Sequence, residues 1–316
     1  MNQQQDIARQ WVAMRRQRVK KLPEAAGAER SSWSNALFVL PFLVVYAALL
    51  VYPLLKGFAM SLNDYDLLGG DIVWVGWQNF TQLWADPIFL GAARNTVLFV
   101  LMTTPVFVAL GVVLALALNT RTRASGVLRS VFFGSSVLSV TVVTLVWRMV
   151  LLPQNGLLAN ILAGLHLPPM AVLVDRRLAL PAIGLVTVWW AIGLPMMLFL
   201  AALQQIPGEI YEAARLDNAG WWRTLWRITL PSIRRTVVLV AVVEVILQFQ
   251  LFGQAQLLTG GGPDNATRPI VQFIYESGFR DWRLGYAAAG SQMLFAFMLA
   301  AAATQFWLSR RRGTEA

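Results

Sequence analysis

Between Glu209 and Thr236 the sequence EIYEAARLDNAGWWRTLWRITLPSIRRT interrupts an otherwise oily second half, acids first and arginines after. Glu209 and Glu212, just beyond Pro207, fit the first turns of a helix, where unpaired backbone N–H groups favour negative charge. Such a carboxylate can also accept a charge-assisted bond from an arginine or lysine of another protein. Ala213 and Ala214 offer a face without bulk, on which a second surface can approach closely. Asp217, Asn218, Ala219 and Gly220 supply turn chemistry. Trp221, Leu225 and Ile228 then recur at helical spacing while Arg223 and Arg227 face elsewhere, and Pro231 is expected to stop that second helix. The passage reads as two short helices along a membrane surface. They are built either to be gripped by another protein or to rest in the lipid interface as an amphipathic pair.

A second set of polar residues lies in the apolar run that follows. Glu244 and Gln248 are four residues apart and share a helix face, with Gln250 and Gln254 beyond them. Carboxylates and amides beside aromatics such as Trp189, Trp190 and Phe249 can bond sugar hydroxyls and lay a flat surface against the ring. Polar groups at membrane depth face either a watery path or a partner helix. Both roles stay open for Glu244, Gln248, Gln250 and Trp190.

Other chemistries lack their residues. There is no cysteine, so no disulfide, thiolate ligand or cysteine nucleophile exists. The one histidine, His166 in AGLHLPP, has no clustered carboxylates in sequence and reads as a loop or cap residue, not a metal ligand. The only lysines are Lys20, Lys21 and Lys56, none in a Gly-x-x-x-x-Gly-Lys phosphate loop, so this chain does not bind ATP by that route. No Ser/His/Asp set is apparent. The expectation is a non-catalytic chain without cofactor or metal of its own.

The elements that hold these residues follow from composition. With 57% of residues hydrophobic and 13% charged, the 316-residue chain is too apolar for a soluble domain, whose charged fraction is about a quarter. Its solvent is lipid. A helix crosses the bilayer core with about 20 apolar residues, and six windows qualify: residues 35–55, 95–118, 130–152, 180–203, 237–258 and 284–308. Prolines 41, 53, 105 and 195 lie in or beside these windows and suggest kinked helices. The first window lies too far from the N-terminus and is too long for a cleaved signal peptide, so it is expected to stay as a span. The predicted fold is an all-α integral membrane protein with six transmembrane helices, the charged passage falling between the fourth and fifth. A basic tail, residues 1–33, precedes a six-span domain of residues 34–309, and a short tail, 310–316, follows.

The net charge of +10 reports topology. Seven lysines and arginines precede the first window, and alternate loops on the same side carry three, five and three; the other loops carry none, two and three. Eighteen against five puts the richer side, both termini and the 204–235 loop in the cytoplasm. A nucleic-acid partner is thereby not expected.

Glu212-Ala213-Ala214, followed at fixed distance by Ile228, Leu230 and Pro231, resembles the EAA loop of membrane permease subunits of binding-protein-dependent ABC importers. Asn218 stands where that family usually has glycine; asparagine also tolerates a left-handed turn, a role Gly220 could share. LLTGGGPDNATRPIVQFIYESGF, from Leu257 to Phe279, is similar to the Thr-x-Gly-Gly-Pro region of carbohydrate permeases of the maltose-transporter type. With Trp147-Arg148 and the turn at Asn155 to Leu158, the similarity spans Ser34 to Ser309.

The resemblance implies a division of labour. A second, related permease subunit would complete the pathway, two cytoplasmic ATPase subunits holding ATP and Mg would grip the EAA loops, and an extracytoplasmic binding protein would deliver a sugar or polyol. It implies that Glu212 pairs with a cation of the ATPase, that Asp217 braces the turn, and that the chain resides in a bacterial or archaeal cytoplasmic membrane. No basic residue lies deep in the fifth window, which disfavours a phosphorylated substrate. A secondary transporter, or a membrane enzyme acting on lipid-linked sugar, would share the hydropathy but have no use for an EAA loop.

Overall fold

The computed structural model describes residues 33–65, 72–168 and 170–311. The two expected cytoplasmic tails lie outside the described residues except for Trp33, Arg310 and Arg311. The chain divides into two bodies, one ending at Leu55 and one beginning at Lys56.

In the first body, α1 (Trp33–Tyr46) contains Pro41 and passes through a π-helical turn, Ala47–Val51, into α2 (Tyr52–Ser61), which runs on into the second. The second body opens with a small antiparallel hairpin, β1 (Asn63–Tyr65) and β2 (Ile72–Trp74), pairing Asn63 with Trp74. Helix α3 (Gln78–Ala85) leads to the long α4 (Pro87–Leu118). Asp86 starts α4: its carboxylate accepts the N–H of Ile88 at 2.8 Å, and Pro87 follows where its missing N–H costs nothing. The same carboxylate accepts the Tyr286 hydroxyl at 2.8 Å.

Next come α5 (Arg123–Val137), α6 (Val140–Val150), α7 (Leu157–Gly164), α8 (Ala179–Ala191) and α9 (Gly193–Gln204). His166 caps the end of α7 with φ +55°. The charged passage forms α10 (Gly208–Leu216), α11 (Trp221–Thr224), a π-helical turn Leu225–Thr229 and α12 (Leu230–Ser232). Then follow α13 (Arg234–Phe249), α14 (Gly253–Leu258), α15 (Ile270–Phe279) and α16 (Leu284–Arg311). Helix α4 is central, packing on α8, α9, α13 and α15. Phe89, Ala92 and Val100 of α4 meet Phe249, Phe273, Ala289 and Met293 in the largest buried cluster.

Three stretches among the described residues are long and apolar enough to cross a bilayer: Phe38–Ser61, Pro87–Leu118 and Leu284–Gln305. Two bent pairs could each make one more span, α5 with α6 at 100° and α8 with α9 at 49°. The window at 130–152 is therefore a broken helix, as is that at 180–203, where Pro195 suggested a kink, and the window at 237–258 is divided between α13 and α14. The sharper break has a visible cause. Leu138 and Ser139 are extended, the Trp190 indole N–H donates to the Leu138 carbonyl at 3.0 Å, and the Ser135 and Ser136 hydroxyls donate back to the Trp190 carbonyl at 3.0 and 3.2 Å. At Gly193 a Cβ would run into the backbone of Phe132 and Phe133, so only glycine lets α9 start this close to α5.

Candidate functional site

The charged passage folds much as its residue types dictate, with two departures. Helix α10 begins after Pro207, carries Glu209 in its first turn and Arg215 in its last, and exposes Glu212 and Ala213. Ala214 turns inward and is buried, so the expected small-residue face is half the size read from sequence. Leu216, which the sequence did not single out, stands 84% exposed beside it. Asp217 ends the helix, donating its N–H to the Ala213 carbonyl at 3.0 Å, and Asn218 then takes the left-handed conformation, φ +52°. Gly220 has φ −64° and does not share that role; it precedes the first turn of α11 in extended conformation.

The second departure concerns Pro231, which does not stop the helix. A proline has no N–H for the carbonyl four residues back, and the chain absorbs this by widening one turn: the Leu230 N–H reaches the Leu225 carbonyl five residues back. Helix therefore runs from Trp221 to Phe249 with one irregular residue, Ile233, at φ −91°, ψ 5°. Ile228 and Leu230 are half-buried. The two arms of the passage are tied by the Tyr211 and Thr229 hydroxyls, 3.2 Å apart. Nothing in the local sequence marks that pair. A cavity of about 370 Å³ under them is lined by Leu116 of α4, Leu203 of α9, Tyr211, Trp221 and Leu225. The passage thus packs at the level where α4 and α9 end.

The candidate substrate residues separate. Glu244 and Gln248 do share a face of α13, with the Gln248 amide donating to the Glu244 carboxylate at 2.9 Å, but both lie inside the subunit, 2% and 5% exposed. Gln250, at the end of α13, is exposed. Trp190 is half-buried, its indole N–H committed to the α5–α6 break. Its neighbour Trp189 is exposed and packs edge-on to Trp147, ring centres 5.5 Å apart.

Beyond the other end of α13, the Thr-x-Gly-Gly-Pro segment is a braced loop. Gly260 and Gly261 have positive φ, and a Cβ on Gly261 would meet the Gln272 side chain. The Thr259 and Thr267 hydroxyls lie 2.7 Å apart. The Asn95 amide donates to the Asn265 carbonyl at 2.7 Å and to that of Arg268 at 3.1 Å, the Ile270 N–H donates to the Thr96 hydroxyl at 2.9 Å, and Arg268 pairs with Glu276 at 2.8 Å. Asn95 and Thr96 were not legible as anchors, since their partners lie more than 160 residues away.

Fold and composition together define a helical membrane subunit with a charged passage packed where α4 and α9 end. The chain belongs to the family of binding-protein-dependent transport system inner membrane components, whose model matches residues 90–314. It is a non-catalytic permease subunit of an ABC importer. It is 35% identical to the diacetylchitobiose uptake system permease protein of Streptomyces coelicolor, over 89% of this chain and 85% of that one. It is 32% identical to a probable ABC transporter permease protein of Bacillus subtilis over 84% and 91%. With the lactose transport system permease protein of Rhizobium radiobacter it shares 29% identity over 87% and 94%. Its fold matches a chain of the bacterial alginate ABC transporter crystallised with an alginate pentasaccharide-bound periplasmic protein, with TM-score 0.76 at 22% identity, over 88% of this chain and 94% of that one.

Proposed function

We propose that this subunit crosses the cytoplasmic membrane six times, both termini inside, and passes a sugar or polyol delivered by an extracytoplasmic binding protein. In this reading a second, related permease subunit completes the path, and two ATPase subunits, which hold ATP and Mg, each grip one coupling helix. The observation that carries it is α10: Glu212, Ala213 and Leu216 stand exposed on a short helix held at the ends of α4 and α9. An acid flanked by a small and a large apolar residue suits a cleft with a basic wall. The two broken helix pairs and the divided α13–α14 run supply the remaining spans. Closure of the ATPase pair on ATP would draw the coupling helices together and turn the path outward, and hydrolysis would reset it, alternating access between two global states.

Relatives named for diacetylchitobiose and lactose support a carbohydrate. The absence of a basic residue between Val237 and Phe249 favours an uncharged one. Gln250 is the path residue already at the surface; Glu244 and Gln248 join it when the interior around α13 opens. The test is Glu212→Ala in the reconstituted complex. Removing one partner of a desolvated charge pair costs about 2–5 kcal/mol, so ATPase co-purification and substrate-stimulated hydrolysis are expected to fail together. Uptake that persists on a proton gradient without ATP, or turnover by the subunit alone, would overturn the reading.

A further inference from the structure

The two arms of the coupling passage carry opposite charge. Glu209, Glu212 and Asp217 outnumber Arg215 on or just after α10, whereas Arg223 and Arg227 lie on α11 and the turn after it, joined at the same end of the molecule by Arg121 and Arg123, the last four arginines all exposed. Trp221, Trp222 and Trp226 are 65, 66 and 64% exposed on that second arm. Trp222 and Trp226 are four residues apart, as are Arg223 and Arg227, so an indole stripe runs beside a guanidinium stripe. The Trp221 and Trp222 rings lock edge-on at 4.6 Å and hold the first indoles in place. Depth is fixed by the cavity beneath: Trp221 and Leu225 share it with Leu116 and Leu203, which belong to the last turns of α4 and α9.

Indoles at the end of a span, beside arginines that can reach outward, match a headgroup layer. The ring body takes the apolar side and its N–H the wet side, and guanidinium groups pair with phosphate. A leaflet rich in anionic lipid draws the basic arm and repels the acidic one. We infer that α11 and its π-helical turn seat in an anionic phospholipid headgroup layer, with Trp222 and Trp226 inserted and Arg223 and Arg227 on lipid phosphates, leaving α10 as the arm that faces water. The coupling passage is then read on two sides, by a protein on α10 and by lipid on α11. This goes beyond the ATPase reading and does not require it.

The chain has no cysteine, so single labels are clean. In the transporter complex with cysteine-free partners, Trp222→Cys, Trp226→Cys and Leu216→Cys are spin-labelled and reconstituted in vesicles of phosphatidylcholine alone or with phosphatidylglycerol. Labels at 222 and 226 are expected to lose access to a water-soluble relaxant, with or without ATPase subunits, while the label at 216 keeps it until those subunits are added. Phosphatidylglycerol is expected to deepen the 222 and 226 labels, and Arg223→Gln with Arg227→Gln to abolish that difference. In the unlabelled complex, lipid brominated near the headgroup should quench a tryptophan component that Trp222→Phe with Trp226→Phe removes. Labels at 222 and 226 as wet as that at 216, shielding that needs the ATPase, or indifference to phosphatidylglycerol would each overturn the lipid seat. A label at 216 unmoved by ATPase subunits would instead overturn the α10 reading and leave this one standing.

Discussion

The Tyr211 and Thr229 hydroxyls meet at 3.2 Å across the two arms of the charged passage, eighteen residues apart in sequence. Thr229 is buried there, so the contact is worth more than an exposed one. Tyr211→Phe is expected to cost about 0.5–1.5 kcal/mol and to weaken the link between substrate and ATP hydrolysis. In that variant the Thr229 hydroxyl still donates to the Thr224 carbonyl at 3.4 Å, so adding Thr229→Val removes this second bond and should lower stability further. Thermal unfolding in detergent alongside substrate-stimulated hydrolysis reads both effects.

Asn218 holds φ +52° between α10 and α11. Asn218→Gly is expected to leave the subunit as stable or slightly more so. A β-branched residue, Asn218→Val, pays the left-handed penalty of about 1–2 kcal/mol and should lower both the melting temperature and ATPase retention.

The alanine pair separates docking from folding. Ala213 is exposed and Ala214 buried. Ala213→Trp should change stability by less than about 0.5 kcal/mol yet block the ATPase subunit. Ala214→Trp overpacks the interior at about 1–3 kcal/mol and should loosen the passage itself. A pulldown of ATPase beside an unfolding curve distinguishes the two, and identical behaviour would show that α10 does not present the face described.

Glu244 and Gln248 form a closed pair inside the subunit. Gln248→Leu leaves a buried carboxylate without its donor, a loss of about 1–3 kcal/mol or more, whereas Glu244→Gln keeps a hydrogen bond in place. The conservative variant is expected to fold normally and to reduce uptake or shift sugar preference. Normal uptake kinetics in that variant would make the pair purely structural.

How far the sequence reaches is clear from particular residues. Asn218 and the charges of α10 act locally, so turn and helix chemistry revealed them. Ala214 was misread because facing direction depends on what packs beneath, here the ends of α4 and α9. Pro231 carries a strong stop signal, but the widened turn at Leu225–Thr229 answers it without breaking the helix. The 100° break after Val137 is held by Trp190, more than fifty residues on; hydropathy counts apolar residues and cannot see such a pin. Trp190 left both a ligand-facing and a packing role open, since an aromatic at that depth looks the same in sequence whether it meets ligand or backbone; its indole N–H is bonded to the Leu138 carbonyl.

The helix from Trp221 to Phe249 has its one irregular residue at Ile233, which is 1% exposed and clamped among Ala115, Phe199, Leu200 and Leu203. A rod interrupted at the point where it is held is two arms about one joint. The short arm reaches from Trp221 to Ser232 and the long arm from Arg234 to Phe249, so the clamp around Ile233 is where a displacement of the first passes toward the end that carries Gln250.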